Sequence, residues 1–268
     1  MTKAPRPGSV LAVKLATWNV NSIRARLDRL VAFLGRYQPD VVCLQELKVP
    51  DEEFPLLEVE AAGYHAAFHG QRTYNGVAIL SRIPAVEVEM GLPGAAADDQ
   101  ARLIAATFGG VRVLSAYFPN GQSVGSDKWS YKLGWMERLR DHLAGRYRPD
   151  QPIALCGDFN VAPEDRDVAR PDEWRESVLC HTEARERLAR IAAWGMTDGM
   201  RIHEAGPGPF TWWDYRMLAF PKGNGLRIDH VYLTAPLAAG CRKAWVDREE
   251  RKGKLPSDHA PVLVELEV

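Results

Sequence analysis

The sequence predicts an α/β protein in which two packed β-sheets are flanked by helices. Two observations carry that expectation: short apolar runs rich in β-branched residues recur along the whole chain, and segments of helical period separate several of them. The runs cover residues 10–17, 41–45, 76–81, 102–108, 111–118, 153–156, 228–233 and 260–267, and each reads as a strand. Gly109-Gly110 between two of them reads as a hairpin turn. After Ser22, taken as an N-cap, Ile23, Leu27, Leu30, Val31 and Leu34 repeat at helical spacing until Pro39 closes the segment. Residues 129–145 place Leu133, Met136, Leu139 and Leu143 on one stripe, and residues 183–194 do the same with Leu188, Ile191 and Trp194. Strands interspersed with such helices pack as sheet on sheet with helices outside.

No low-complexity tract or Ser/Gly linker divides the 268 residues, which predicts one domain over residues 9–268 behind a loose tail over 1–8. A formal net charge of −1 excludes a protein that coats nucleic acid through bulk charge, but leaves room for a local basic rim. The four cysteines, Cys43, Cys156, Cys180 and Cys241, form no C-x-x-C pair. Cys43 and Cys156 lie inside apolar runs, where a free thiol behaves as a small core residue, so neither a disulfide framework nor a zinc site is expected. Lys14 interrupts the only early apolar stretch, and no later run approaches a membrane span. The expected compartment is a reducing cytoplasm.

The chemistry collects at the ends of the apolar runs. LATW ends in Asn19, VVCLQ in Glu46, LSAY in Tyr117 with Asn120 just beyond, and IALCG in Asp158 and Asn160. LRI leads into Asp229, and Ser257, Asp258 and His259 precede the last run. A single Asp or Asn after a strand is ordinarily a turn former. Tyr117 alone would read as a half-buried aromatic, and His259 alone as a satisfied surface histidine. Six strand ends of compatible chemistry are harder to dismiss, and they would line one rim of a sheet pair. Most of these groups are hard oxygen ligands, suited to Mg²⁺ or Mn²⁺ rather than zinc. Such a site suits phosphodiester hydrolysis, with a carboxylate or imidazole available as general base. Neither a Walker loop nor a dinucleotide G-x-G-x-x-G is present.

These motifs resemble the exonuclease III class of apurinic/apyrimidinic endonucleases, within the endonuclease/exonuclease/phosphatase superfamily. The resemblance rests on WNVNSIRAR at 18–26, LQELK at 44–48, HGQRTYNGVAILSR at 69–82, YFPNG at 117–121, GDFN at 157–160, FTWWDYR at 210–216, GLRID at 225–229 and SDHAPV at 257–262. It implies a four-layer α/β sandwich of two mixed sheets flanked by helices, with the site at one edge. It also implies roles: Glu46 as central metal ligand with Asn19 and Asp258, and with Asp158, Asn160 and His259 in the wider ligand set. Asp158 would activate water, with Asn160 beside it and Tyr117 on the phosphate. His259 would bind the scissile phosphate, oriented by Asp229. Lys48, Tyr74, Arg102 and Asn120 would contact DNA, and Trp212 and Leu226 would line the pocket for a flipped abasic sugar. Three residues depart from the pattern: Leu47 replaces a usual threonine, Ser22 a common glycine, and Leu226 a tryptophan of eukaryotic members. Cations near the motifs, including Arg24, Arg26, Arg72, Lys128, Lys132, Arg216, Arg227, Arg248 and Arg251, are candidates for a phosphate-gripping rim.

The implied activity is repair hydrolysis at abasic sites and 3′ ends of double-stranded DNA, by a Mg²⁺-dependent monomer with Mn²⁺ as a substitute. Three readings compete with it. An inositol phosphatase or sphingomyelinase would share Glu46, Asp158, Asn160, Asp258 and His259, but LQELK and FTWWDYR argue against it. A DNA-binding module without chemistry would not keep every catalytic residue type. A non-specific nuclease is separated by its action on undamaged and single-stranded DNA.

Overall fold

The computed structural model describes residues 12–93 and 100–268. The expected tail and the first two residues of the first run lie outside them. In chain order the strands are β1 (Ala12–Asn19), β2 (Val41–Gln45), β3 (His65–His69), β4 (Val77–Ser81), β5 (Val86–Met90) and β6 (Leu103–Phe108). There follow β7 (Val111–Tyr117), β8 (Ile153–Asp158), β9 (Met196–Asp198), β10 (Asp229–Thr234), β11 (Cys241–Val246) and β12 (Val262–Glu267). The helices are α1 (Leu27–Tyr37), α2 (Leu56–Ala61), α3 (Asp127–Arg146), α4 (Pro171–Trp174), α5 (Thr182–Ala193) and α6 (Ala235–Ala239).

Two six-stranded mixed sheets result, in the orders β11-β12-β1-β2-β4-β3 and β5-β6-β7-β8-β10-β9. All eight expected strands are present, and they are the interior strands of both sheets. The four strands not foreseen, β3, β5, β9 and β11, are the four edges. Interior strands here are covered on both faces, so β2, β4, β8 and β10 are buried along their whole length and read as continuous apolar runs. The edges are short or partly exposed. β5 shows Val86, Val88 and Met90 to solvent, and β9 has only three residues.

Each sheet contains one parallel pair joined through a helix: β1 with β2 across α1, and β7 with β8 across α3. Between the sheets lies an apolar core that includes Leu15, Cys43, Ile79, Val113, Cys156, Leu233 and Val264. Outside the first sheet, Leu30, Phe33 and Leu34 of α1 pack on Trp18, Val42 and Leu44. Outside the second, Leu133, Met136, Leu139 and Leu143 of α3 join Leu188 and Ile191 of α5. The layers are therefore helix, sheet, sheet, helix. The expected Gly109-Gly110 hairpin is present, both glycines at positive φ between the paired Phe108 and Val111.

One helix boundary differs from expectation. Ser22 does not cap α1, which begins at Leu27 after Arg26. Asn21 and Ser22 have φ of 44° and 84°, a left-handed path that cannot enter a helix. The segment is held instead by backbone bonds from Val20, Ser22 and Ile23 to the carbonyls of Gln45, Glu46 and Leu47. α3 does have a serine cap, with Ser126 Oγ accepting from the Trp129 amide at 3.1 Å.

Candidate active site

Parallel pairing puts the carboxyl ends of β1 and β2 together, and likewise those of β7 and β8. β10 is antiparallel to β8, and β12 to β1, so their amino ends arrive at the same rim. Asp229, the first residue of β10, is the register partner of Asp158, the last of β8. A buried polar link ties the two sheets just below. Gln45 Nε2 donates to Ser115 Oγ and to Thr17 Oγ1, both at 3.1 Å, and Ser115 Oγ donates to the Leu44 carbonyl. Gly157 is required before Asp158, because a Cβ there would lie 1.8 Å from the Ala116 carbonyl oxygen.

From the first sheet, buried Asn19 donates through Nδ2 to Glu46 Oε1 at 2.8 Å and to Asp158 Oδ2 at 2.9 Å. Glu46 follows β2 at φ 54° and pairs with Lys48 Nζ at 2.8 Å. Lys48 also donates to Asn21 Oδ1 at 2.6 Å. From the second sheet, the Asn160 amide closes on Asp158 Oδ1 at 2.9 Å, and Asn160 Oδ1 accepts from Asn120 Nδ2 at 3.2 Å. His259 Nδ1 meets Asp229 Oδ2 at 2.9 Å, and its Nε2 points to Asp158 Oδ2 at 3.8 Å. The His259 loop is fixed by Trp18 Nε1 donating to the His259 carbonyl and by Ser257 Oγ accepting from the His259 amide. Asp258 has both oxygens engaged, by Asn21 Nδ2 at 2.9 Å and Trp212 Nε1 at 3.0 Å.

Burial pushes the Asp158 carboxyl up to about 7, and the charges of Asp229 and Glu46 add to it, against His259 and the Asn19 bond. Burial alone would lower His259, but Asp229, Asp158 and Asp258 outweigh it and raise the imidazole to about 10. The histidine thus holds its proton, with Nδ1 bonded to Asp229 and Nε2 facing Asp158. Burial also raises the Tyr117 phenol well above its ordinary range, followed by Glu46 and Asp158, so Tyr117 keeps its proton. Asp258 is held below its ordinary value, because His259, Trp212 and Asn21 overcome its burial.

Among the described residues, Glu46, Asp158 and His259 bring three potential metal-ligand atoms within 4.8 Å of one another. The two carboxylates suit a hard divalent cation. The protonated His259 nitrogen suits an anion, and Asp258 is already held by its two donors.

A groove of about 590 Å³ opens from Glu46 along Gln71, Tyr74, Asn75, Arg102, Tyr117, Asn120, Lys128 and Tyr131. Arg102 is stacked 4.9 Å from the Tyr117 ring centroid and donates to the Tyr117 carbonyl. Tyr74 is largely exposed. A larger cleft, of about 880 Å³ between β5 and α3, contains none of the site residues. On the other side of Asp258, half-buried Trp212 stands edge-on to Trp174 and forms a bridge with Leu226.

Several expectations need correction. Leu226 is fully buried beneath Trp212, packed with Val168 and Ile228, and presents no surface to a ligand. Lys132, Arg227 and Arg251 are buried and cannot belong to a phosphate-gripping rim. Arg227 pairs with Asp167 and Asp198, and Arg251 donates to the Ser257 and Trp213 carbonyls. Arg24, Arg72 and Arg216 do remain exposed. Asn21, not singled out in the sequence, links Lys48 to Asp258. The available signal was a second asparagine two residues beyond a strand end, at a position where Asn tolerates positive φ. No G-x-S-x-G elbow is expected from the sequence, yet Gly121–Gly125 spells that motif. Ser123 there is exposed, and no bond from it to a histidine is present among the described residues, so it forms no nucleophile elbow.

Residues 16–259 match the model of the endonuclease/exonuclease/phosphatase family. The chain belongs to that family. It is 35% identical to exodeoxyribonuclease III of Haemophilus influenzae over 265 residues, 94% of this chain and 99% of the relative. The AP endonuclease of Archaeoglobus fulgidus superposes with a TM-score of 0.93 at 38% identity, covering 96% of this chain and all of that one. A 3′-5′ exonuclease from Neisseria meningitidis superposes with a TM-score of 0.92 at 39% identity and the same coverage. Members of the family are metal-dependent, and no described helix of this chain is long and apolar enough to cross a membrane.

Proposed function

We propose that this chain is a DNA repair nuclease that hydrolyses phosphodiesters at abasic sites and 3′ ends of double-stranded DNA. Its ion would be Mg²⁺, with Mn²⁺ able to substitute. One observation carries the reading: at the rim shared by the two sheets, Glu46, Asp158 and His259 bring three potential ligand atoms within 4.8 Å of one another. The relatives' activities point the same way. Exodeoxyribonuclease III and the AP endonuclease act on DNA, and a related 3′ phosphatase from Neisseria has been solved with a product DNA hairpin.

In this reading Glu46 and Asp158 supply the carboxylate oxygens for the cation, with Asn19 holding both in place. The cation would neutralise phosphate charge and stabilise the leaving oxygen. Asp158 accepts a proton from the attacking water as its oxygen bonds to phosphorus and the bond to the leaving oxygen breaks. His259 and Tyr117 donate to the non-bridging oxygens, and Asp229 keeps His259 charged and aimed. Asn160 and Asn120 fix the flank of Asp158. Lys48, Tyr74 and Arg102 contact the backbone along the groove. Trp212 walls the space for an extruded abasic sugar, which has no base to stack and so is cheap to flip. Asp258, which also orients Trp212 and Asn21, stands beside Glu46 and Asp158 as a further ligand. The four reduced, buried cysteines fit a cytoplasmic monomer.

The test is a set of labelled duplexes carrying an abasic site, a 3′-phosphate or a recessed 3′ end, assayed with Mg²⁺ titrated from a chelated start. Cleavage of the abasic and 3′-blocked duplexes, absent in chelator and restored by Mg²⁺, is expected. Equal hydrolysis of undamaged or single-stranded DNA, or full activity in excess chelator, would overturn the reading.

A further inference from the structure

One side chain of α3 breaks the apolar stripe around it. Lys132 lies next to Leu133 and within one turn of Trp129, Trp135 and Met136, all buried, and has no exposed surface itself. Among the described residues, no carboxylate pairs with it. Its ammonium meets three main-chain carbonyls: Val178 at 2.6 Å, Asn160 at 2.7 Å and Asn120 at 3.2 Å. Burial pulls Lys132 down to about 7, with Asp158 foremost among the influences opposing it. The geometry favours the charged form, because three acceptors match the three protons of an ammonium and exceed the two of an amine.

A buried cation with only neutral partners is costly, and a leucine or methionine would serve the stripe better. What Lys132 touches gives it a reason. Asn120 stands in the loop after β7 and Asn160 in the loop after β8. Their side chains bond each other, and Asn160 holds Asp158 through its amide at 2.9 Å and through Nδ2 at 3.3 Å. Asn160 sits at φ 49°, a conformation that needs outside support. Gly121 lies flat on the lysine stem: at φ 95°, a Cβ would come within 3.0 Å of Lys132 Cδ and 3.1 Å of the Trp129 ring. The third carbonyl, of Val178, ties in the segment that leads to α5.

We propose that Lys132 is a positioning residue for the phosphodiesterase reaction, its hidden ammonium clamping the loops after β7 and β8 so that Asn120, Asn160 and Asp158 stay in working geometry. The proposal rests on the nuclease reading above.

The test compares the full-length chain with K132M and K132R, each also in an N160A background. Turnover and KM are measured on abasic duplex at saturating Mg²⁺, with DNA binding in chelator and melting temperature alongside. K132M should lower kcat by about 10–100-fold while KM and DNA binding change little, as expected of a residue that orients catalytic groups. K132R, whose fork can reach the same carbonyls, should recover part of the loss. In the N160A background the K132M penalty should shrink, because the Asn160 side chain that the clamp positions is gone, while the Asn160 carbonyl and amide remain. A kcat for K132M near that of the parent, or a penalty of equal size in both backgrounds, would overturn the proposal. If K132M does not fold, K132Q, which removes the charge and one donor, makes the same comparison in the two backgrounds. A crystal structure of the folded variant gives a readout independent of activity. Displaced Asn160 and Asp158 side chains support the clamp, and an undisturbed pair refutes it. Failure of the unmutated chain on every duplex would instead strike the nuclease reading, before any variant is made.

Discussion

The two sheets present their polar ends to the same rim under different conditions. The first delivers Glu46 partly exposed, with Lys48 beside it and Asn19 donating to it. The second delivers Asp158 and Asp229 with almost no exposed surface, opposite one another and bridged by His259. A carboxylate at the wet edge keeps its charge through water and a mobile cation. A carboxylate in the dry layer depends on fixed donors, and its proton affinity moves with every one of them. The first sheet thus offers a place to hold an ion, and the second a place to move a proton.

That contrast orders the expected losses. Asp158→Asn keeps the size of the side chain and removes its basic oxygen, so turnover should fall by about 10³-fold or more with duplex binding nearly unchanged. Parallel losses of binding and turnover would make Asp158 a structural residue. His259→Ala removes a charged donor and leaves two facing carboxylates uncompensated. A loss of about 10²–10³-fold in kcat is expected, and a harmless substitution would contradict the phosphate role.

On the wet side the defect should be of another kind. Glu46→Ala should shift the Mg²⁺ titration upward by about 10–100-fold, with much of the rate regained at high Mg²⁺. An unchanged titration would remove Glu46 from the cation. Asp229→Asn disturbs only the partner of His259 and should cost about tenfold, the low end for an orienting group. The smallest effect is expected at Trp212→Ala, a severalfold loss on abasic duplex with removal of a 3′-phosphate spared. Because Trp212 is only half-buried, its loss should destabilise the fold by less than the about 3–5 kcal/mol of a core tryptophan. Equal loss of both activities with a much earlier melt would make it a core residue and nothing more.

The same contrast of dry and wet explains what could be read from the sequence. Strands covered on both faces, such as VVCLQ and IALCG, must be apolar throughout, and composition alone reveals them. The edges HAAFH and CRKAWV face solvent and carry ordinary polar residues, so nothing in their composition separates them from loops. The rim residues stood out because a polar group ending an apolar run is conspicuous. Asn21 and Lys132 did not stand out. Asn21 works through a left-handed turn marked only by a second asparagine beyond the strand end, and Lys132 looked like one more surface cation on an amphipathic helix. Leu226 was misjudged for the reverse reason: its neighbour Trp212 reaches the rim, while alternation along the chain turns Leu226 inward.

The direct pairing of Asp158 with Asp229 has a consequence for how this protein can change. Because side chains alternate along a strand, deleting a single residue from β8 or β10 would turn one carboxylate of the pair away from the rim. Loop length carries no such penalty, since each doubling costs only about 0.6 kcal/mol of closure entropy. Insertions between residues 202 and 207, an exposed stretch, should therefore be absorbed, whereas the strand ends act as a ruler graduated in single residues. The site is addressed by count along two ladders, and the exposed loop stretches between them are free to change length.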